Sequence, residues 1–518
     1  MSNSLVINSS PSEVRVALLE NDVPCEVYIE RQGDRGVVGN VYRGKVVRVL
    51  PGMQAAFVEI GLERTGFLYV NDALPMALTA EAEDDEPEER RDGDDEDPEV
   101  ESPRERRPSR TQPAANIADI LKQGQEILVQ VQKEPLGTKG ARLTRHVSIP
   151  GRHLVYMPFS QHIGVSRRIT DPMERDRLKQ AVTKHRDGGG GFIVRTATEG
   201  VEDAEIEREA KMLRQLWRDI EKRGASGPTP RVVYEDLDLV LRATRDLFVE
   251  SIDRVIVDRE EDFDRVKSFV SGFAPESESK IELYRTMEPI FDHYGIEVEI
   301  ERALERRVWL KSGGYIVIDQ AEALTVVDVN SGRFVGKSSL EETITQINLE
   351  AVKEVVFQIR LRNIGGIVII DFIDMARVEN REKVLAALQE ALKRDKAKTT
   401  IVRMSEIGLV EMTRKRVRES LGHLLTETCS YCKGRGAVKS ERTVANEILR
   451  AIARHLAREP AGTVLVNMQP SIADYLYATE NVQIEELEKR YQARIVPVAR
   501  EGYHRENWEL VTTPKRTS

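Results

Sequence analysis

The stretches Val326-Val327-Asp328-Val329-Asn330-Ser331-Gly332 and Ile369-Ile370-Asp371-Phe372-Ile373-Asp374 each drive a run of β-branched residues into a carboxylate. Between them Leu340, Ile344, Ile347, Ala351 and Val355 recur at helical spacing, and Ser339 with Glu342 makes a capping box at the start of that helix. Gly365-Gly366 is read as its end. Strand, helix, strand is a crossover unit, which lays its strands parallel with their C-terminal ends together. Asp328 and Asp371 are therefore expected to face one crevice. Taken singly, an acid at a strand end reads as a turn or cap residue; taken together, two hard oxygen ligands suit magnesium, which keeps several waters and takes substrate phosphate as a further ligand. Asn330, two residues after Asp328 on an extended strand, leaves the same face, where its amide would orient water or hold a phosphate. Asp374, three residues after Asp371, is assigned a structural or supporting role.

Outward from this centre, Gly313 to Asp319 and Leu324 to Val329 read as a hairpin, and Val384, Leu385, Leu388 and Leu392 mark a second helix ahead of a strand at Thr400 to Met404. The N-terminal segment alternates as a meander (Leu5, Ile7; Val14, Val16; Val27, Ile29). Short strands with turn glycines follow from Val37 to Val70 and at Glu126 to Lys133, the pattern of a small OB-type barrel. Phe57 and Phe67 on neighbouring strands are candidate platforms for single-stranded bases, with the barrel core as the competing placement. The basic groups Lys139 to Arg145 and Ser166-Arg167-Arg168 suit a phosphate backbone, a weak signal on its own. The tail from Thr443 onward reads as a small α/β appendage.

The net charge of −10 is concentrated in one place: residues 81 to 101 hold 14 acidic side chains against Arg90 and Arg91. The rest of the chain is slightly basic. A like-charged run almost without apolar residues does not repay its ordering entropy, so this is read as a disordered insertion, either a solvated loop or a nucleic-acid mimic beside a basic groove. No stretch approaches the roughly 18 apolar residues of a membrane span, and the N-terminus lacks a basic start followed by an apolar run, so a cytoplasmic protein is expected. Only Cys25, Cys429 and Cys432 occur, too few for a disulfide framework. Cys429-Ser-Tyr-Cys432-Lys-Gly434-Arg-Gly436 is half of a tetrahedral zinc site. His423, or a second copy of the chain donating two more thiolates, would complete it; a free reduced pair is the alternative. Few histidines and an acidic pair favour water activated by one metal over attack by a ribose hydroxyl.

Asp328-Val-Asn330-Ser-Gly, Gly365-Gly-Ile-Val-Ile-Ile-Asp371-Phe-Ile-Asp374-Met375, Gly408-Leu-Val-Glu-Met-Thr-Arg and Cys429-x-x-Cys432-x-Gly-x-Gly resemble, in order, the motifs of the ribonuclease E/G family. The likeness runs from Leu5 to about Pro514, and the short tail resembles the members that lack a long disordered scaffold. It implies an α/β multidomain fold: an RNase H-like subdomain in two parts (1–36 and 215–280), an inserted OB-fold RNA-binding barrel (37–130) with its acidic insertion at 78–112, and a 5′-sensor (131–214). A DNase I-like catalytic subdomain (281–400), a zinc-link (401–440) and a small C-terminal domain (441–518) would follow. It further implies an endoribonuclease that cuts single-stranded, AU-rich RNA in rRNA processing and mRNA decay and prefers a 5′-monophosphate. By the same likeness Asp328 and Asp371 hold magnesium with Asn330 assisting, Cys429 and Cys432 share zinc across a homodimer that is able to pair into tetramers, and Phe57, Phe67 and Lys139 contact RNA. Arg195 and Thr196 match the 5′-phosphate sensor, with Gly151 and Val155 lining it. Two departures stand out: Ser430 occupies a place where many members have proline, and the acidic run interrupts the barrel. The competing expectations are an RNA-binding adaptor without catalysis and a zinc-bridged scaffold.

Overall fold

A computed structural model of the chain describes residues 2–33, 35–74, 116–135, 140–185, 189–248, 251–332, 340–405, 407–459 and 461–514. The acidic run, Lys139 and Ser339 lie outside the described residues. The chain forms two compact units, 1–424 and 425–518.

Among the described residues the first unit is mixed α/β, built on four sheets. The N-terminal meander Ser4–Ser9, Glu13–Glu20 and Val23–Arg31 is antiparallel, and Ser4–Ser9 pairs in parallel with the distant strand Arg254–Val257, which in turn borders Ile281–Leu283. Everything between Arg31 and Arg254 is thus an excursion from a sheet to which the chain returns. Part of that excursion is a five-stranded closed, OB-like barrel. Strands Val41–Leu50, Ala55–Glu59, Gly66–Tyr69, Arg142–Thr144 and Glu126–Lys133 follow in order, and the last pairs back to the first. Val46, Ala56, Val58, Leu68, Val129 and Leu143 fill its interior. The rest is a small sheet of Ile163–Val165, Gly191–Val194, Leu154–Met157 and Ile149–Pro150 packed on helices Pro172–Lys184 and Asp203–Ala225.

The fourth sheet has six strands in the order Arg307–Trp309, Tyr315–Gln320, Leu324–Asn330, Gly366–Asp371, Leu409–Arg414, Thr399–Met404. Its inward residues, among them Ile316, Ile318, Val327, Val329, Val368, Ile370 and Met412, pack against Ile347, Ala351 and Val355 of helix Leu340–Leu361 and Val384 and Leu388 of helix Val378–Leu392. Because side chains alternate across a strand, the other face is left to Val326, Asp328, Asn330, Ile369 and Asp371.

Two local expectations are corrected. Leu340 was assigned to the helix's apolar face, but it is exposed; as the first described helical residue it precedes the turn that meets the sheet. Gly365-Gly366 does not end the helix either. Asn363 does so, in the left-handed conformation, with its N–H bonded to the Arg360 carbonyl and the Ile364 N–H to the Ile359 carbonyl, the paired bonds of a Schellman cap. The glycines serve a close approach: a Cβ on Gly365 would meet the Arg416 side chain at 2.7 Å.

The second unit is a small α/β fold: strand Ala461–Met468 between Arg494–Ala499, parallel, and Trp508–Pro514, antiparallel, with helices Glu441–Arg458, Pro470–Thr479 and Asn481–Tyr491 closing a core of Val444, Ile448, Val464, Val466, Ile472 and Leu476.

Candidate active site and RNA-binding surfaces

Strand Leu324–Asn330 pairs in parallel with Gly366–Asp371, and the register sets Asp328 directly beside Asp371. Both side chains are exposed on the open face while Val327, Val329 and Ile370 are buried behind them. The Asn330 amide donates to Asp328 Oδ2 at 2.8 Å, which fixes the amide beside the first carboxylate. Glycine is required at the end of this strand: Gly332 adopts φ +59°, and a Cβ there would collide with the Gly313 carbonyl of the adjoining turn.

The strand ends at Asp371, so Asp374 lies in the irregular segment that follows and not in the strand alternation. It comes near enough for its charge to act on Asp371: burial first, then the carboxylates of Asp328 and Asp374, push the Asp371 carboxyl above its ordinary value. Two residues not singled out in the sequence hold this loop. Fully buried Asn348 clamps Ile373, its amide donating to the carbonyl at 2.8 Å and its oxygen accepting from the N–H at 3.1 Å. Glu341 accepts from the N–H groups of Ala376 and Arg377 and from the Asn380 amide, and these bonds hold its carboxyl below the usual range. The spacing of Asn348 from the apolar stripe was the available signal, since a polar residue one position after Ile347 enters the helix's buried face.

Crowded hard oxygens on an exposed sheet face, one carboxyl raised by burial and then by its neighbours, form a donor set that a divalent cation relieves. Among the described residues no three His, Cys, Asp or Glu side chains cluster tightly enough to hold a metal by themselves. Two carboxylates with room for water and phosphate fit magnesium rather than an all-protein cage.

On the barrel, Phe57 and Phe67 are direct cross-strand partners, and Ala56, Val58 and Leu68 occupy the interior positions. The two rings thus lie outside the core. Tyr69 extends the pair, its ring 5.3 Å from that of Phe67, and the Arg142 guanidinium lies 5.3 Å from the Tyr69 ring while donating to Asp72 at 2.9 Å. Arg142 belongs to the basic group read as suiting a phosphate backbone, and the closed barrel is what brings it beside Phe67; Tyr69, two residues after Phe67 on the same strand, was not singled out.

Val155 lies in the small sheet, and Gly151, Arg195 and Thr196 directly follow two of its strands. Val155 pairs with Pro150 and Ile193. Arg195 Nη1 donates to the Gly151 carbonyl at 2.6 Å and to Asp246 at 3.0 Å, and the Thr196 hydroxyl is 2.9 Å from that of Ser166. Burial would raise the Asp246 carboxyl, but Arg245 and Arg195 hold it below its usual value. Beneath the loop, buried Glu209 accepts from the N–H groups of Arg152 and His153, and a Cβ on Gly151 would strike its carboxylate. The loop is thereby set, with Nη1 of the Arg195 guanidinium tied down.

In the second unit the knuckle turns through Lys433, Gly434 and Gly436, all at positive φ. Backbone N–H groups of Cys432 and Tyr431, then the Cys432 thiol, pull the exposed Cys429 thiol below its ordinary pKa, which favours the thiolate a metal takes. Tyr431, next to Ser430, docks the knuckle: its carbonyl is 2.8 Å from His504 Nε2 and the two rings are 4.2 Å apart.

With this geometry in hand, comparison with known proteins is direct. Residues 148–417 match the model of the Ribonuclease E/G family, and 428–513 match that of the RNase E/G thioredoxin-like domain, which describes the small α/β unit. The chain is 42% identical to Ribonuclease G of Escherichia coli K12 over 515 residues, covering 99% of this chain and all of the relative. It is 43% identical to Ribonuclease G of Haemophilus influenzae over 508 residues, 98% of this chain and 99% of the relative. With Ribonuclease E of Escherichia coli K12 the identity is 34% over 497 residues, 95% of this chain but only 44% of the relative. The chain belongs to the ribonuclease E/G family and is more similar to ribonuclease G than to ribonuclease E.

Proposed function

We propose that this endoribonuclease cuts single-stranded, AU-rich RNA with magnesium held by Asp328 and Asp371, prefers a 5′-monophosphate end, and acts in rRNA processing and mRNA decay in the cytoplasm. The observation that carries the reading is the in-register pairing of Asp328 with Asp371, with Asn330 bonded to the first, on an uncovered sheet face. When bound, magnesium supplies Lewis-acid polarisation of the phosphoryl group and activation of water. The chain's own part is to present two carboxylates at fixed spacing and, through the Asn330 amide, to orient the attacking water or the scissile phosphate. In-line attack leaves a 5′-phosphate and a 3′-hydroxyl. Phe57 and Phe67 stack bases on the barrel, with Lys139 as a further RNA contact, and Arg195 with Thr196 grips a terminal phosphate, while a bulkier triphosphate fits the closed loop poorly. Cys429 and Cys432 hold zinc with the same pair from a second copy, making a dimer that is able to pair further. The RNase H-like and DNase I-like names for the N-terminal and six-stranded sheets belong to this proposal.

The test is cleavage of one AU-rich oligoribonucleotide carrying either a 5′-monophosphate or a 5′-hydroxyl, with magnesium and after chelation. Faster cleavage of the monophosphate form, dependence on magnesium and 3′-hydroxyl products support the reading. Products ending in a 2′,3′-cyclic phosphate would overturn it, because they require attack by the ribose.

A further inference from the structure

The open face of the six-stranded sheet holds a second group of side chains beside the carboxylates. Tyr315 is the direct cross-strand partner of Asn330, and Trp309 on the edge strand is the partner of Tyr315. Opposed residues share a face, and the intervening Val308, Ile316 and Val329 are buried in the core. Trp309 and Tyr315 therefore lie on the side of Asn330 and Asp328. Their rings meet edge to face at 5.3 Å, and the Arg307 guanidinium lies 4.5 Å from the Tyr315 centroid and 5.8 Å from that of Trp309. Trp309 is 58% exposed, an indole with its cation in place and most of its surface uncovered.

We infer that Arg307, Trp309 and Tyr315 form a base-stacking shelf for a nucleotide flanking the one that is cut, separate from the aromatic pair on the barrel. Strands lie about 4.8 Å apart, so Trp309 is roughly 10 Å from Asn330 across the sheet, within reach of a nucleotide adjoining the scissile phosphate. Aromatic faces accept any base, and an arginine beside them neutralises the backbone phosphate. A protein partner would equally cover an indole. The shelf's continuity with the phosphodiester site, on one face and in register with Asn330, selects the substrate as occupant.

This inference rests on the reading of the site as one that cuts RNA, and the test keeps the two apart. A 5′-monophosphorylated oligoribonucleotide with one cleavage site is made in versions with a single abasic residue at successive positions, and kcat/KM is measured for the full-length protein, Trp309→Ala and Trp309→Phe. On the unmodified RNA, Trp309→Ala is expected to lose about 5- to 150-fold and Trp309→Phe less. At one position near the cut, removing the base should slow the unaltered protein by a similar factor yet slow Trp309→Ala no further. Losses that multiply at every position, or no loss in Trp309→Ala, overturn the shelf. Tryptophan emission gives a readout independent of cutting: the RNA should quench it in the unaltered protein and much less in Trp309→Phe. Quenching of that kind without cleavage would keep the shelf and sink the hydrolytic reading, and cleavage with equal quenching in both proteins would do the reverse.

Discussion

Asp328→Asn is the perturbation that bears most directly on the proposed chemistry. The side chain is exposed, its neighbours Val327 and Val329 keep their places in the core, and the substituted amide still accepts from Asn330, so stability should change by no more than about 0.5 kcal/mol. What changes is charge. A unit charge about 4 Å from another is worth about 1 kcal/mol in water and about 4 kcal/mol at an effective dielectric of about 20. The exposed setting argues for the lower figure, doubled for a divalent ion, which makes magnesium binding weaker by about 30-fold. Losing the neighbouring carboxylate also removes one of the influences that raise Asp371, so that carboxyl should move down toward its ordinary value. The assay is a magnesium titration of oligonucleotide cleavage: the half-saturating concentration should rise about 30-fold, and kcat should fall by about 10²-fold as the remaining carboxylate orients the ion poorly. RNA binding by anisotropy without magnesium should be unchanged or slightly tighter. Wild-type rates with an unaltered magnesium dependence would refute the assignment of both aspartates.

Arg195→Ala should narrow the preference for a 5′-monophosphate over a 5′-hydroxyl by about 10- to 150-fold, the worth of a charge-assisted hydrogen bond; equal loss on both substrates, measured side by side, would point to misfolding of the loop. Arg414→Met removes the guanidinium that bonds Asp395 at 2.7 and 3.0 Å and the Ile364 carbonyl at 2.9 Å in the interior. Leaving Asp395 buried without its partner should cost about 3–5 kcal/mol in urea unfolding, and a change under about 1 kcal/mol would contradict that. Cys429→Ser should yield a protein that sediments as a monomer at concentrations where the parent is dimeric; persistence of the dimer after zinc chelation argues against a shared metal. Deleting residues 81 to 101 removes the 14 acidic side chains there and should tighten RNA binding at low salt, with the gain fading as salt screens the charge. An unchanged salt slope counts against mimicry.

The legible parts of this molecule were those in which period and chemistry act locally. Alternation around Val327, Val329, Val368 and Ile370 marks two strands with buried faces, and helical spacing between them marks a crossover, which lays the strands parallel. From that alone Asp328 and Asp371 were expected to come together. The family likeness adds the names of the neighbouring parts, because whole motifs in fixed order carry more information than any single residue.

The remainder depended on contacts between residues far apart in the chain, for which local pattern holds no signal. Leu409–Arg414 inserts between Gly366–Asp371 and Thr399–Met404, so a strand later in sequence lies nearer the site. Closure of the barrel sets Arg142 beside Phe67 and Tyr69, and the fold of the small sheet over helix Asp203–Ala225 brings Glu209 under Gly151. Asn363 ends the long helix because its backbone, in the left-handed conformation, lets the chain turn into the next strand, where a pair of glycines was the more obvious signal. The sequence by itself determined which residues carry charge, which stripes must be buried and which strands share a crossover, since those follow from side-chain chemistry and short-range period. Only the tertiary structure decided register, closure and the company each polar group keeps, since these are settled by packing many weak contacts at once.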